Sequence, residues 1–141
     1  MKGIEYKSYG IIPIFKGKDG FYILIVKNSK GGHWGLPKGT PKKGEKPINT
    51  AKRELFEETN IKDIDTKTEI TFRQNYDFIK NNVLYNKTVI YYPGFISKII
   101  KGNKLDEIDE LRWVKIGDAL NTITYKSTSD VVEKLMDWLV C

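Results

Sequence analysis

One stretch of the sequence, residues 39–61, constrains this chain more than any other. It reads GTPKKGEKPINTAKRELFEETNI and places three carboxylates at the spacing i, i+3 and i+4, namely Glu54, Glu57 and Glu58. On an α-helix this spacing confines them to an arc of roughly 100° on one face. Like charges so close repel one another unless a cation lies between them, and such oxygen ligands suit Mg²⁺. The pattern predicts either a metal-binding helix or a solvated acidic helix face.

The residues around these glutamates predict the bounds of the helix. Pro47 suits the first helical turn, where its missing N–H has no partner to lose. Ile48, Ala51 and Leu55 form an apolar stripe, and the glutamates lie along one flank of it. Asn60 follows the helix and is predicted to cap it in the left-handed conformation, where glycine is preferred and asparagine is the next best residue.

The same stretch resembles the Nudix box, G-x5-E-x7-R-E-U-x-E-E-x-G-U, in which U is an aliphatic residue. Eight of the nine specified positions match, and they are Gly39, Glu45, Arg53, Glu54, Leu55, Glu57, Glu58 and Ile61. Asn60 replaces the second glycine of the pattern. The resemblance implies a Nudix hydrolase with an α/β/α sandwich fold, a central mixed sheet and a requirement for Mg²⁺, with Mn²⁺ as an alternative metal.

The resemblance also implies roles for individual residues. It implies that Glu54, Glu57 and Glu58 bind the metal, together with the backbone carbonyl of Gly39. It implies that Arg53 pairs with Glu45 and orients the loop against the helix. The catalytic base is then Glu57, Glu58 or Glu107, although Glu107 is equally interpreted as part of a solvated acidic turn.

Features outside the box resemble one subgroup, the dinucleoside tetraphosphate hydrolases. The matching segments are W-x-x-P-K-G at 34–39, K-T-V-I-Y-Y at 87–92, and the spacing from Glu107 to Arg112-Trp113. Asp106, Ile108 and Leu111 depart from the last of these. Because Leu111 replaces an aromatic residue that often holds a base, base stacking must come from elsewhere. The candidates are Tyr76, Tyr85, Tyr91 and Tyr125, whose alternative role is ordinary sheet packing.

Three further side chains are candidates for substrate binding. Lys38 directly precedes Gly39, whose carbonyl is an implied metal ligand, and can neutralise the charge of a phosphate. Lys87 is the first residue of the second matching segment. The alternative is that Lys38 is one more surface lysine. His33 is the only histidine, which excludes a His-based triad or zinc cluster. Its counterpart in the family lies near the substrate phosphates, whereas a lone histidine equally fits an exposed loop.

The remaining sequence predicts strands around two helices. Apolar runs at 11–15 and 21–26 flank a Lys18-Asp19-Gly20 turn and predict a hairpin, followed by a long loop over residues 28–46. Strands are predicted at 72–78, 88–96 and 111–116, with a turn at Asn81-Asn82 and an edge or bulge at Pro93. Residues 127–129 are predicted to cap a last helix over 129–140.

Length and charge set the outer bounds. The 141 residues predict a single domain over 1–141, and the single Cys141 excludes an intrachain disulfide. The absence of a leader pattern or long apolar run predicts an unexported, cytoplasmic protein. The net charge of +6 favours polyanionic partners such as nucleotides or nucleic acid, or else reflects a lysine-rich surface. Nothing in the sequence decides the oligomeric state, and a monomer is compatible with it.

These observations predict a Mg²⁺-dependent hydrolase that splits diadenosine tetraphosphate asymmetrically into ATP and AMP. Removal of pyrophosphate from triphosphorylated RNA 5′ ends is the alternative reaction. A non-catalytic nucleotide-binding module is the alternative from another class, and the three intact glutamates argue against it.

Overall fold

The computed structural model describes residues 3–100 and 108–140. Its strands are β1 (Ile4–Gly17), β2 (Gly20–Asn28), β3 (Trp34–Gly35), β4 (Lys38–Gly39), β5 (Asp65–Thr66), β6 (Phe72–Lys80), β7 (Val83–Ile96) and β8 (Ile108–Lys115). Its helices are α1 (Pro47–Thr59), α2 (Ile116–Thr122) and α3 (Lys126–Leu139). The predicted hairpins at Lys18-Asp19 and Asn81-Asn82 are both present, and both asparagines have positive φ.

The strands form one mixed sheet. β1 pairs in parallel with β7 along twelve residues, from Ile4 opposite Tyr85 to Phe15 opposite Ile96. The other pairings are antiparallel: β1 with β2 and β4, β2 with β3 and β8, and β7 with β5 and β6. The long parallel pair therefore lies in the middle of the sheet.

A gap between β1 and β2 positions the loop at 28–46. The two strands pair only from Ile14 opposite Ile23 to the turn. Beyond that point β4 pairs with Tyr9 and Gly10 of β1, and β3 pairs with Val26 and Lys27 of β2. The predicted loop thus contributes two short strands, which bring residues 34–39 into the sheet.

Helices cover both faces of the sheet, as the predicted α/β/α sandwich requires. α1 packs its Ala51 and Leu55 against Ile11 and Leu24 on one face. α2 and α3 pack on the other face, where Val132 and Leu135 meet a larger cluster that includes Tyr91. These two clusters, one on each face of the sheet, bury the apolar surface that stabilises the domain.

Two element predictions are wrong. Pro93 lies on neither an edge nor a bulge, because β7 is central and Pro93 pairs with Ile12 of β1. On the edge of β7 that faces away from β1, the pairing with β6 ends at Tyr91 and the pairing with β5 begins at Gly94. Pro93 lies between these two pairings, so its missing N–H removes no hydrogen bond from a continuous strand pair. α2 was not predicted, because the sequence pattern extended the preceding strand to Ile116, which is instead the first residue of that helix.

The last helix also differs from its prediction. It begins at Lys126, with Tyr125 as N-cap and no side-chain cap hydrogen bond, so residues 127–129 lie inside its first turn. Its predicted apolar face is confirmed, since Val131, Val132 and Leu135 are buried. In the part of the chain that the structure describes, no helix is long and apolar enough to cross a membrane.

Candidate active site

Gly39 of β4 lies directly against the carboxylate of Glu54 of α1. A Cβ built on Gly39 would overlap the Glu54 side chain, so a glycine is needed for this close approach. The contact places a carboxylate against the backbone of β4, as a shared oxygen site for a cation requires. Hard oxygen donors in this arrangement fit Mg²⁺.

Arg53 holds the acidic residues of α1 and the preceding loop. Its Nε and Nη2 donate to the two carboxylate oxygens of Glu45, at 2.9 and 3.0 Å, which is the predicted pair in a bidentate geometry. Its Nη1 donates to Glu54 at 2.7 Å and to Glu57 at 3.1 and 3.2 Å, and its Nη2 donates to the carbonyl of Thr40 at 2.9 Å. One guanidinium thus joins the loop to the helix.

This pairing stabilises the ionised form of Glu45. The hydrogen bonds from Arg53, from the Lys42 backbone amide and from the Thr50 hydroxyl lower the pKa of Glu45 to about 2. The same contact with Glu45 raises the pKa of Arg53. Both groups remain charged at neutral pH, so the Arg53–Glu45 pair is a fixed element of the site.

Glu57 and Glu58 point in different directions. The Glu57 side chain is 49% exposed and pairs with Arg53. Glu58 accepts a hydrogen bond of 3.0 Å from the backbone amide of Lys38 and lines the adjacent cavity. Among the residues that the structure describes, no three acidic, histidine or cysteine side chains converge as a closed metal cluster. Glu107 lies outside the described residues.

Lys38 and Lys87 form a cationic pair next to the glutamates. Burial lowers the pKa of Lys38, while Glu58 opposes that shift. Burial, and then the nearby charge of Lys38, lower the pKa of Lys87 to about 8. The Lys87 ammonium also lies 4.7 Å from the ring centroid of Tyr6. Two partly desolvated ammonium groups held together are suited to a polyanion, which relieves their mutual repulsion.

A cavity of about 520 Å³ extends from these charged groups across the face of the sheet. Glu58 and Lys38 lie in its wall together with the aromatic residues His33, Tyr76 and Tyr125. The rings of His33 and Tyr125 pack against each other with centroids 5.3 Å apart. Burial, and secondarily the charge of Lys38, lower the pKa of His33 and favour its neutral form. The cavity therefore joins an anionic edge, a cationic group and an aromatic pair.

The candidate tyrosines have different surroundings. Tyr76 and Tyr125 line the cavity, and their stacking on a base stays a prediction. Tyr91 also borders the cavity, but its side chain is fully buried and its ring packs in the core, which does not favour the predicted base stacking. Tyr85 stacks on Phe78 instead, with centroids 5.0 Å apart and planes 12° apart, and it is Phe78 that reaches the cavity. Lys87 contacts Lys38 behind the wall rather than lining it.

Sequence reasoning missed the polar floor of the cavity. Gln74 is buried there and donates to the hydroxyls of Ser127 and Thr128 at 2.8 and 2.9 Å. Gln74 was predicted only as part of an alternating strand, and Ser127 and Thr128 only as caps. The one available signal was an amide on the apolar face of that strand, next to Phe72 and Tyr76.

Comparisons with known proteins agree with this geometry. Residues 6–138 match the NUDIX domain family. An RNA pyrophosphohydrolase of Bartonella clarridgeiae is 36% identical over 99 residues, covering 59% of this chain and 57% of the relative. The RNA pyrophosphohydrolase of Bartonella henselae is 35% identical over 94 residues, covering 64% and 52%. The chain thus spans little more than half the length of these two relatives.

Solved structures share the fold at lower identity. A Caenorhabditis elegans Ap4A hydrolase in a binary complex superposes with a TM-score of 0.83, at 21% identity, over 96% of this chain and 98% of that one. The architecture and the carboxylate helix thus define a Nudix fold with an α/β/α sandwich. With the family match covering nearly all of the described residues, this chain belongs to the NUDIX family.

Proposed function

We propose that this chain is a Mg²⁺-dependent Nudix hydrolase that splits diadenosine tetraphosphate asymmetrically into ATP and AMP. The observation that carries the proposal is the continuity of the cavity, which runs from Glu58 and Lys38 to the His33–Tyr125 pair. A nucleotide bound along it has its base at the aromatic pair and its phosphates at the charged edge.

The metal is assigned to the acidic flank of α1. Glu54, Glu57 and Glu58, with the carbonyl of Gly39, would hold Mg²⁺, and Mn²⁺ has the same preference for oxygen ligands. The bound ion supplies polarisation of phosphate oxygens and a lowered pKa of the attacking water. The fit rests on the contact between Glu54 and Gly39 and on the oxygen chemistry of the donors.

The protein groups then have separate tasks. Glu58 lines the cavity, so of the described glutamates it is the best placed to accept a proton from attacking water, whereas Glu57 faces Arg53. Lys38, which lines the cavity, stabilises the charge of the leaving phosphates, and Lys87 adds positive charge behind it. Arg53 orients Glu54 and Glu57 through its ion pairs with both. Binding energy from the base positions the phosphorus to be attacked.

The aromatic pair supplies a base site in place of the aromatic residue that is missing at Leu111. Stacking of a base on a ring contributes about 1–3 kcal/mol. His33 is favoured in its neutral form by burial, which suits a ring surface for stacking. The similarity in fold to an Ap4A hydrolase supports the choice of a dinucleoside polyphosphate.

Removal of pyrophosphate from RNA 5′ ends is the second candidate. Two observations favour it: two bacterial relatives at 36% and 35% identity are named RNA pyrophosphohydrolases, and the net charge is +6. The same charged edge would then accept a 5′ triphosphate, and the cavity would hold the first base. The three glutamates argue against a binding module without catalysis, since binding alone does not need them.

Product analysis tests the proposal. Diadenosine tetraphosphate, diadenosine triphosphate, ADP-ribose and triphosphorylated RNA are each incubated with Mg²⁺ in ¹⁸O-labelled water, and products are identified by mass spectrometry. We expect ATP and AMP from the tetraphosphate, with the label in one product only. Two ADP molecules as the main product would refute asymmetric cleavage, and much faster turnover of RNA would establish the second candidate.

A further inference from the structure

A buried amide connects the sheet to the first turn of α3 at the floor of the cavity. Gln74 is only 4% exposed. Its Oε1 accepts a 3.1 Å hydrogen bond from the Tyr91 hydroxyl, and its Nε2 donates to Ser127 Oγ at 2.8 Å and to Thr128 Oγ1 at 2.9 Å. Both protons of the amide are therefore engaged.

The Tyr91 hydroxyl faces the oxygen atom of this amide. Burial raises the pKa of Tyr91, which keeps its hydroxyl protonated and able to donate. The group it faces in this structure is the amide oxygen, so the amide nitrogen faces α3. A buried polar group is retained at a cost unless it is hydrogen-bonded, and here each contact of the amide has a defined direction.

This direction leaves the Ser127 proton available. Ser127 Oγ accepts from Gln74, and within residues 3–100 and 108–140 its hydroxyl makes no other hydrogen bond. Ser127 is half-buried and lines the cavity, whereas Thr128 is 5% exposed. Both hydroxyls have the same partner and both residues border the cavity, but Ser127 is the more exposed of the two and is the better placed to meet a ligand.

The neighbouring rings define what kind of ligand meets this hydroxyl. Tyr76 lies on the same face of β6 as Gln74, and Tyr125 precedes Ser127 by two residues in the chain. All four residues border the cavity. A planar base packed against these rings presents its edge, rather than its face, to the polar floor.

We propose that Ser127, oriented by Gln74, is a specificity-determining residue that donates a hydrogen bond to a ring nitrogen of adenine. The inference rests on the proposed function, since it assigns the base end of the same cavity. The unprotonated ring nitrogens of adenine accept hydrogen bonds in the plane of the base, as the Ser127 donor requires. A site that hydrogen-bonds its ligand discriminates against an analogue lacking that atom, because a polar group is then left unpaired.

Equilibrium binding of AMP, measured by isothermal titration calorimetry, tests the proposal without requiring turnover. We expect Ser127→Ala to weaken AMP binding about tenfold. Thr128→Val is the matched control, because it removes the same contact with Gln74 from a buried position, and we expect less than a twofold effect. Thermal unfolding of both variants establishes that each is folded.

Gln74→Glu reverses the hydrogen bond without changing the shape of the side chain. An ionised carboxylate only accepts, so Ser127 must donate to it and loses its free proton. We expect this variant to bind AMP as weakly as Ser127→Ala, and the double variant to be no weaker than either. A merely structural role for the network predicts that Thr128→Val weakens binding as much as Ser127→Ala does.

Base analogues identify the contacted atom. Among 1-deaza-, 3-deaza- and 7-deaza-AMP, we expect one to bind the wild type about tenfold more weakly than AMP does. The Ser127→Ala variant should bind that analogue and AMP with equal affinity. If all three bind the wild type as AMP does, or if Ser127→Ala is without effect, the proposal is wrong. The wild-type protein could show the expected AMP binding and yet fail to cleave diadenosine tetraphosphate asymmetrically in the product assay. That result would overturn the proposed function alone.

Discussion

Gly39 sets the position of the Glu54 carboxylate, because glycine has no β-carbon to occupy the same space. A β-carbon at this position would occupy the space of the Glu54 carboxylate, which Arg53 also holds through a 2.7 Å hydrogen bond. The Glu54 carboxylate can therefore keep this place beside β4 only if residue 39 is glycine. The first residue of the box is thus a steric requirement of the site rather than a turn signal.

We predict that Gly39→Ala lowers kcat at least about tenfold, equivalent to about 1.4 kcal/mol of barrier, because Glu54 must leave its place beside β4. Gly117→Ala is the control, since a Cβ there meets no atom within 4 Å. Steady-state kinetics with Mg²⁺ on the best substrate of the panel provide the measurement. Equal kcat values for the two variants would show that Glu54 does not need this position.

At the scale of one element, α1 ends where Asn60 adopts φ 65° and ψ 17°. The Asn60 amide donates to the carbonyl of Phe56 at 2.8 Å, which closes the last turn. The predicted left-handed cap is confirmed, so the exchange of glycine for asparagine in the box preserves the backbone of the site. Asn tolerates this conformation better than any residue with a branched β-carbon.

We predict that Asn60→Gly leaves stability nearly unchanged and that Asn60→Val destabilises the protein by about 1 kcal/mol or more. Asn121 in α2 is an exposed control with the opposite order, because in a helix glycine is less favourable than valine. Urea unfolding of the four variants measures the free energies. The same order at both positions would contradict a left-handed cap.

Elements with local signals could be predicted from the sequence, whereas those fixed by distant partners could not. The first hairpin, α1 and its cap follow from apolar spacing, a turn and Asn60, all within a few residues. Ser127 resembles a helix cap locally, but its hydroxyl is bonded to Gln74, 53 residues earlier in the chain. The sequence predicts that Tyr91 lies in a strand but not whether its ring is exposed. Its burial follows from the pairing of β7 with β1 on one side and β6 on the other.

At the scale of the whole molecule, the protein is positively charged, whereas one flank of the site is acidic. The net charge is +6, yet the flank of α1 carries three glutamates. Lys42 and Lys43 are exposed in the loop between β4 and α1, where the Lys42 amide also donates to Glu45 at 3.0 Å. Lysines here offset the acidic flank and make the surface beside the site more positive.

We predict that the double substitution Lys42→Glu and Lys43→Glu lowers kcat/KM severalfold at low ionic strength, because an approaching polyphosphate meets a less positive surface beside the site. Lys16→Glu with Lys18→Glu is the matched control: it also changes the net charge by −4, from +6 to +2, but at the β1–β2 turn, away from α1 and β4. Near 1 M salt, where the screening length falls to about 3 Å, the loop variant should approach the wild type. Equal losses in the two variants would assign the effect to net charge, and a loss that persists at high salt would indicate direct contact by these lysines instead of long-range attraction.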